Sequence, residues 1–139
     1  MTATSAPQLG QIHALLADRG YDVTETASDT LKIRETSSGI SVQAVLAGDI
    51  LYCSLVCTVV PHAAVTPDVM AHMLDAGNGI STSYFQLYPA GDGQVAVALN
   101  NFCKLQDLGS EDEDDILSCV HFLLADVMSA RRLLGGLAA

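Results

Sequence analysis

The stretch ILYCSLVCTVV, residues 50–60, limits the fold more than any other part of this chain. Leu51, Cys53, Leu55, Cys57 and Val59 alternate along one face of a strand, and Ile50, Tyr52, Val56 and Val60 make much of the other face apolar too. A strand of that kind is central in its sheet or covered on both sides, so it needs hydrogen-bonding neighbours left and right. The flanking segments supply them. TLKIRE (30–35) alternates Leu31 and Ile33 with Lys32 and Arg34, and ISVQAVL (40–46) places Ile40, Val42, Ala44 and Leu46 on one face. The turns TSSG (36–39) and Ala47-Gly48-Asp49 join the three into an antiparallel meander. ISTSYFQLY (80–88) and QVAVALNNFCKL (94–105), linked by PAGDG, predict two more strands.

Three stretches have helical spacing. Leu9, Ile12, Leu15 and Leu16 predict a first helix over about residues 6–19, with Ser5 and Gln8 as a capping box and Gly20 as its left-handed end. Thr66-Pro67-Asp68 opens a second, whose stripe is Val69, Met70, Met73 and Leu74 and whose stop is Gly77. The third runs over about 111–134. Ser110 and Glu113 form an S-x-x-E cap, and the acids Glu111 to Asp115 complement the positive end of the helix dipole. Arg131 and Arg132 lie at the opposite end, and Gly135-Gly136 closes it. Five adjacent acids on one turn point in different directions, and no D-x-[DN]-x-[DN]-G spacing follows Asp112, so the run caps a helix instead of binding a hard cation. The order α-βββ-α-ββ-α defines an α+β class: an antiparallel sheet of about five strands with three helices, one domain over 1–139 and an ordered core over about 6–135.

On the third helix Ile116, Leu117, Val120, Leu123, Leu124, Val127 and Met128 cover about 180° of arc at 100° per residue. Phe122 and Leu133 fall outside it. They are either isolated exposed apolar residues or a second contact, with another subunit or a client chain.

Sixteen acids face six scattered bases, a formal charge of −10, which disfavours nucleic acid and anionic membranes. No apolar run approaches the roughly 18 residues of a membrane span, and the first ten residues lack a basic and an apolar secretory region. A cytoplasmic chain with reduced thiols is therefore expected. Half the residues are hydrophobic, more than a small lone domain needs, which points to apolar surface left for a partner.

Reactive constellations are missing. Cys53 and Cys57 flank Leu55 on an apolar face, where thiols pack instead of reacting. No C-x2-C or H-x3-H pair suggests zinc, His13, His62, His72 and His121 stand singly, and Gly77-x-Gly79 follows a helix where a phosphate loop would precede one. Asn100-Asn101 marks a bulge or a buried polar bond. No catalytic residue, metal ligand or cofactor is assigned.

IHALLADRGYDV in the first helix and VALNNFCKL in the last strand carry a family resemblance, as does LGSEDEDDILSCVHFLLADVMSA leading into the last helix. The chain resembles the type III secretion chaperone-like fold, a group that includes secretion chaperones and the YbjN-like and YjfI-like bacterial proteins of unknown function. The resemblance implies a homodimer without enzymatic activity. In the secretion chaperones the second helix and neighbouring strands pair two subunits, and apolar grooves hold an unfolded client segment. Carried to this chain, that implies a dimer seam of Val69, Met70, Met73 and Leu74 with Tyr84, Phe85, Gln86 and Leu87. The leading expectation is a noncatalytic, homodimeric protein-binding module, chaperone-like or regulatory, with a possible protein client. The alternative is a small-molecule sensor or enzyme whose pocket gathers distant residues such as His62, Cys103 and His121.

Overall fold

In the computed structural model, which describes residues 8–106 and 109–135, the elements run α1 (Leu9–Asp18), β1 (Asp22–Ala27), β2 (Thr30–Arg34), β3 (Ser41–Ala47), β4 (Ile50–Pro61), a 3₁₀ turn (His62–Ala64), α2 (Pro67–Leu74), β5 (Tyr84–Gly91), β6 (Gln94–Lys104) and α3 (Ser110–Leu133). The strands form one six-stranded sheet in the order β1-β2-β3-β4-β6-β5, with antiparallel pairing in β1–β2, β2–β3 and β5–β6. The α+β class expected from the periodicity is the class observed, with six strands in place of five.

The additional strand is β1. Its sequence, DVTETA, has one partly buried residue, Val23, and its other residues are exposed. An edge strand pairs on one side only and need not alternate apolar with polar, so hydrophobic periodicity gives no signal there. Backbone pairing makes it a strand: Asp22 to Glu25 oppose Arg34 to Leu31, and the register shifts between Glu25 and Ala27.

β4 lies between β3 and β6, the central position its sequence demanded. Leu51, Cys53, Leu55 and Cys57 are buried on one face. Its second face is left open by the described residues, since Tyr52 is 45% and Val56 51% exposed. The alternation also slips by one residue near the strand end, so that Val60 is buried and Val59 exposed, opposite to the strict period-two expectation.

The described residues pack as two compact units, one drawn from 8–53, 102–106 and 109–121 and the other from 54–101 and 122–135. In the first, Ile12 and Leu16 of α1, Leu31, Ile33, Val42, Ala44 and Leu51 of the sheet, and Ile116 and Val120 of α3 are all buried. In the second, Leu55, Val97 and Leu99 are buried, as are Met73 of α2 and Leu123, Val127 and Ala130 of α3. Each fully buried aliphatic side chain stabilises the fold by about 1.5–3 kcal/mol before entropy is counted.

The helix ends show which sequence signals operated. α1 begins at Leu9, with the Gln8 amide donating to Gln11 Oε1 at 3.2 Å, while the expected cap Ser5 lies outside the described residues. Its C-terminus closes as anticipated: Gly20 takes φ +94°, and the amides of Gly20 and Tyr21 reach the carbonyls of Ala17 and Leu16. Thr66 Oγ1 accepts from the Val69 amide at 3.2 Å and Pro67 opens α2. α2 stops at Leu74, before Gly77. Asp75 turns extended, its Oδ2 accepts from the Gly77 amide, and Asn78 Nδ2 donates to the Met73 carbonyl at 2.6 Å. Ser110 is the first residue of α3 and Gly109 precedes it as the cap, its carbonyl accepting from the Glu113 amide. Asp112 is buried and accepts from the Gln106 amide at 2.7 Å, tying α3 to the loop before it. At the far end Gly135 donates to the Arg132 carbonyl, and Gly136 lies outside the described residues.

Candidate functional site

The chain enters β5 through a polar anchor in the second unit. Residues 80–83, expected to begin a strand, form a loop, because Ser81 is diverted to Asp126 of α3. The Ser81 amide donates to Asp126 Oδ1 at 3.1 Å, and its hydroxyl reaches both carboxylate oxygens at 2.9 and 3.0 Å. Asp126 is only 5% exposed, so these bonds satisfy a carboxylate that burial would otherwise disfavour. Asn101 Nδ2 donates to Thr82 Oγ1 at 3.2 Å, and pairing with β6 starts at Tyr84 opposite Asn100.

β5, YFQLYPAG, has no charged residue and is the terminal strand of the sheet. Period two puts Tyr84, Gln86 and Tyr88 on one face and Phe85, Leu87 and Pro89 on the other. Tyr84 is 45% exposed, with Leu87 and Tyr88 also open to solvent and Phe85 half-buried. On the tyrosine face, Asn100 Nδ2 donates to Gln86 Oε1 and to Tyr88 Oη, and the Tyr88 hydroxyl donates to Gln86 Oε1 at 3.1 Å. These bonds fix the two side chains across the strand pair. Asn100 is the buried polar bond anticipated from the sequence; its Oδ1 is buried without a partner. Gly91, Asp92 and Gly93 all take positive φ and make the tight tip of the β5–β6 hairpin.

The residues expected to form a seam differ in accessibility. On α2, Leu74 is 79% exposed and Met70 also faces solvent, Val69 is half-buried, and Met73 is buried in its own unit. On β5, Tyr84, Gln86 and Leu87 are exposed. On α3 the buried stripe is Ile116, Cys119, Val120, Leu123, Val127 and Ala130, with Leu134 buried just past its end, while Met128, placed inside the apolar arc by sequence, is exposed. Phe122 and Leu133, which fall outside that arc and were read as either isolated exposed residues or a second contact, are half-buried. Leu133 lines a cleft of about 330 Å³ together with His72, Asp75 and Arg132. A second cleft, about 490 Å³, lies between His62 and the hairpin tip, walled by Leu87, Tyr88 and Pro89.

The thiols are buried in both units. In the first, Cys103 and Cys119 share a hydrogen bond, and Cys119 also meets Cys53. That bond from Cys119, with burial, pushes Cys103 strongly upward. The Cys103 bond lowers Cys119, but the bond with Cys53 and burial outweigh it, and Cys119 is pushed up to about 12. In the second unit burial raises Cys57 to about 11, against the lowering effects of Arg131 and a Leu99 backbone hydrogen bond. Thiols held protonated in this way are poor nucleophiles near neutral pH. Of the residues suggested for a gathered pocket, His62 falls in the second unit, whereas Cys103 is buried and His121 exposed in the first.

No family model matches the chain, and no curated protein matches it in sequence. Among solved structures, the architecture is that of YbjN from E. coli, described as a proposed transcription regulator. The match has a TM-score of 0.66 over 95% of each chain at 16% identity. The chain therefore has an α+β fold of YbjN type. No helix among the described residues is long and apolar enough to cross a membrane.

Proposed function

We propose that this protein is a noncatalytic protein-binding module, chaperone-like or regulatory, that acts in the cytoplasm as a homodimer. The observation that carries this reading is β5, a terminal strand without charge whose two faces both bear exposed apolar side chains. An unguarded edge offers a row of free backbone groups to another chain, and alternate side chains give the pairing its register. Two copies of β5 running antiparallel about a two-fold axis satisfy both edges at once. Exposed Met70 and Leu74 of α2 supply further apolar surface in the same unit, and the abundant acids keep the assembly soluble. The regulatory description of YbjN is compatible with such a module, and the fold itself does not specify a reaction.

Sedimentation equilibrium at low micromolar concentration tests the assembly. A mass of twice 14.6 kDa is expected, and a strict monomer under those conditions refutes the homodimer.

A further inference from the structure

The first unit has an open sheet face of its own, on the side opposite its buried Leu31, Ile33, Val42, Ala44 and Leu51. Lys32 and Arg34 of β2, Val45 of β3, Tyr52 of β4, and Phe102 and Lys104 of β6 occupy it at alternate positions. Three of the six bases of a chain with net charge −10 are thus gathered on one face. Among the described residues no carboxylate comes within ion-pair distance of Lys32 or Arg34, although Asp22 stands opposite Arg34 in register. Among the described residues Lys104 reaches Asp49, at 4.0 Å, and its side chain remains 71% exposed. Between these cations Tyr52 and Phe102 lie with ring centroids 6.3 Å apart, and Phe102 is 53% exposed.

We propose that this face docks an acidic amphipathic helix of a protein partner. The size fits. From β2 across β3 and β4 to β6 is three strand spacings, about 14 Å, and a helix with its side chains is about 10–12 Å across. A helix lying along the strands sets its apolar stripe on Tyr52, Phe102 and Val45, and acids on its two flanks meet Lys32 and Arg34 on one side and Lys104 on the other. The occupant is a helix because β2, β3, β4 and β6 are all interior strands and offer no free backbone edge. An extended peptide laid on this face would leave its own amides and carbonyls unsatisfied, whereas a helix bonds them internally. Nucleic acid is disfavoured, because three cations release few counterions and the remainder of the chain repels phosphate.

The test is a fluorescence titration of the full chain with a synthetic Glu/Leu helix of about 18 residues, alternately charged and apolar at helical spacing. A scrambled peptide of the same composition and a single-stranded oligonucleotide serve as competitors. The helical peptide is expected to bind at least about tenfold tighter than the scramble, a margin of about 1.4 kcal/mol. Lys32→Glu with Arg34→Glu is expected to remove that margin, and Phe102→Ala to reduce it. Equal binding of the two peptides, unchanged binding by the charge-reversed protein, or preference for the oligonucleotide overturns the proposal. Since all three positions are exposed, the variants should melt within a few degrees of the parent. If one does not, amide chemical-shift mapping on the unmodified protein decides: shifts outside β2, β3 and residues 50–53 and 102–104 also overturn it. The proposal goes beyond the dimer reading, and sedimentation of the parent tests that reading independently of this face.

Discussion

β1 and β5 both end the sheet, yet they are built by opposite rules. β1 carries Asp22 and Glu25 in six residues, its register shifts near its end, and Glu25 lies 3.6 Å from His13 of α1. Charges and irregular pairing are the usual ways of preventing another chain from adding to an edge. β5 is longer, uncharged and aromatic; its own register shift, between Pro89 and Gly91, is confined to its hairpin end, so charge and length are what separate the two edges. Charge thus guards one edge and not the other, and the proposed pairing through β5 rests on that asymmetry.

The strongest way to break this comparison is to remove the anchor that delivers the chain into β5. Asp126→Ala leaves the Ser81 amide and hydroxyl without their acceptor and should lower stability by about 1–3 kcal/mol in chemical denaturation. A loss below about 0.5 kcal/mol would mean that the loop re-forms its bonds elsewhere. Next in size, Leu87→Lys on β5 should weaken the proposed dimer at least tenfold, about 1.4 kcal/mol, at little cost to folding, while Thr24→Lys on β1 leaves the sedimenting mass unchanged. Equal effects from the two lysines would erase the distinction between the edges. The entry to β1 depends on Gly20 at φ +94°, so Gly20→Ala should cost about 1 kcal/mol without changing assembly.

The last effect belongs to the sheet interior and is confined to alkaline pH. Cys57 keeps its proton up to about 11 in the folded chain, against an ordinary value of 9.0. Between those values the unfolded chain loses the proton that the folded chain retains, so stability is complete below about pH 9 and declines as pH rises towards 11. Thermal melts across that range should show the decline, and Cys57→Val should make it shallower.

Where burial and periodicity coincide, the sequence could be followed residue by residue. The inward face of β2 and of β4 as far as Cys57, and the buried stripe of α3 around Val120, Leu123 and Val127, are examples, as is the Thr66-Pro67 start of α2. Where structure depends on backbone pairing or a long-range polar bond, it could not. β1 has too little apolar content to register, and Ser81 looked like a strand residue because its partner Asp126 lies 45 positions away. The same limit applies to the surfaces. Composition indicated surplus apolar area, and Tyr84 and Leu87 were singled out through a family resemblance. The open face around Tyr52 and Phe102, with Lys32 and Arg34 beside it, needed the strand order to bring β2 and β6 to either side of β3 and β4.

The concealed cysteines have a practical consequence. Because all four lie at low exposure, an alkylating reagent can reach them only when the surrounding structure breathes. Cys53, Cys103 and Cys119 belong to one packing unit and Cys57 to the other, so mass-resolved labelling under native conditions times the opening of each. Labelling of all four in step would mark a single cooperative body, and early labelling of Cys57 alone would show that the unit bearing β5 loosens by itself.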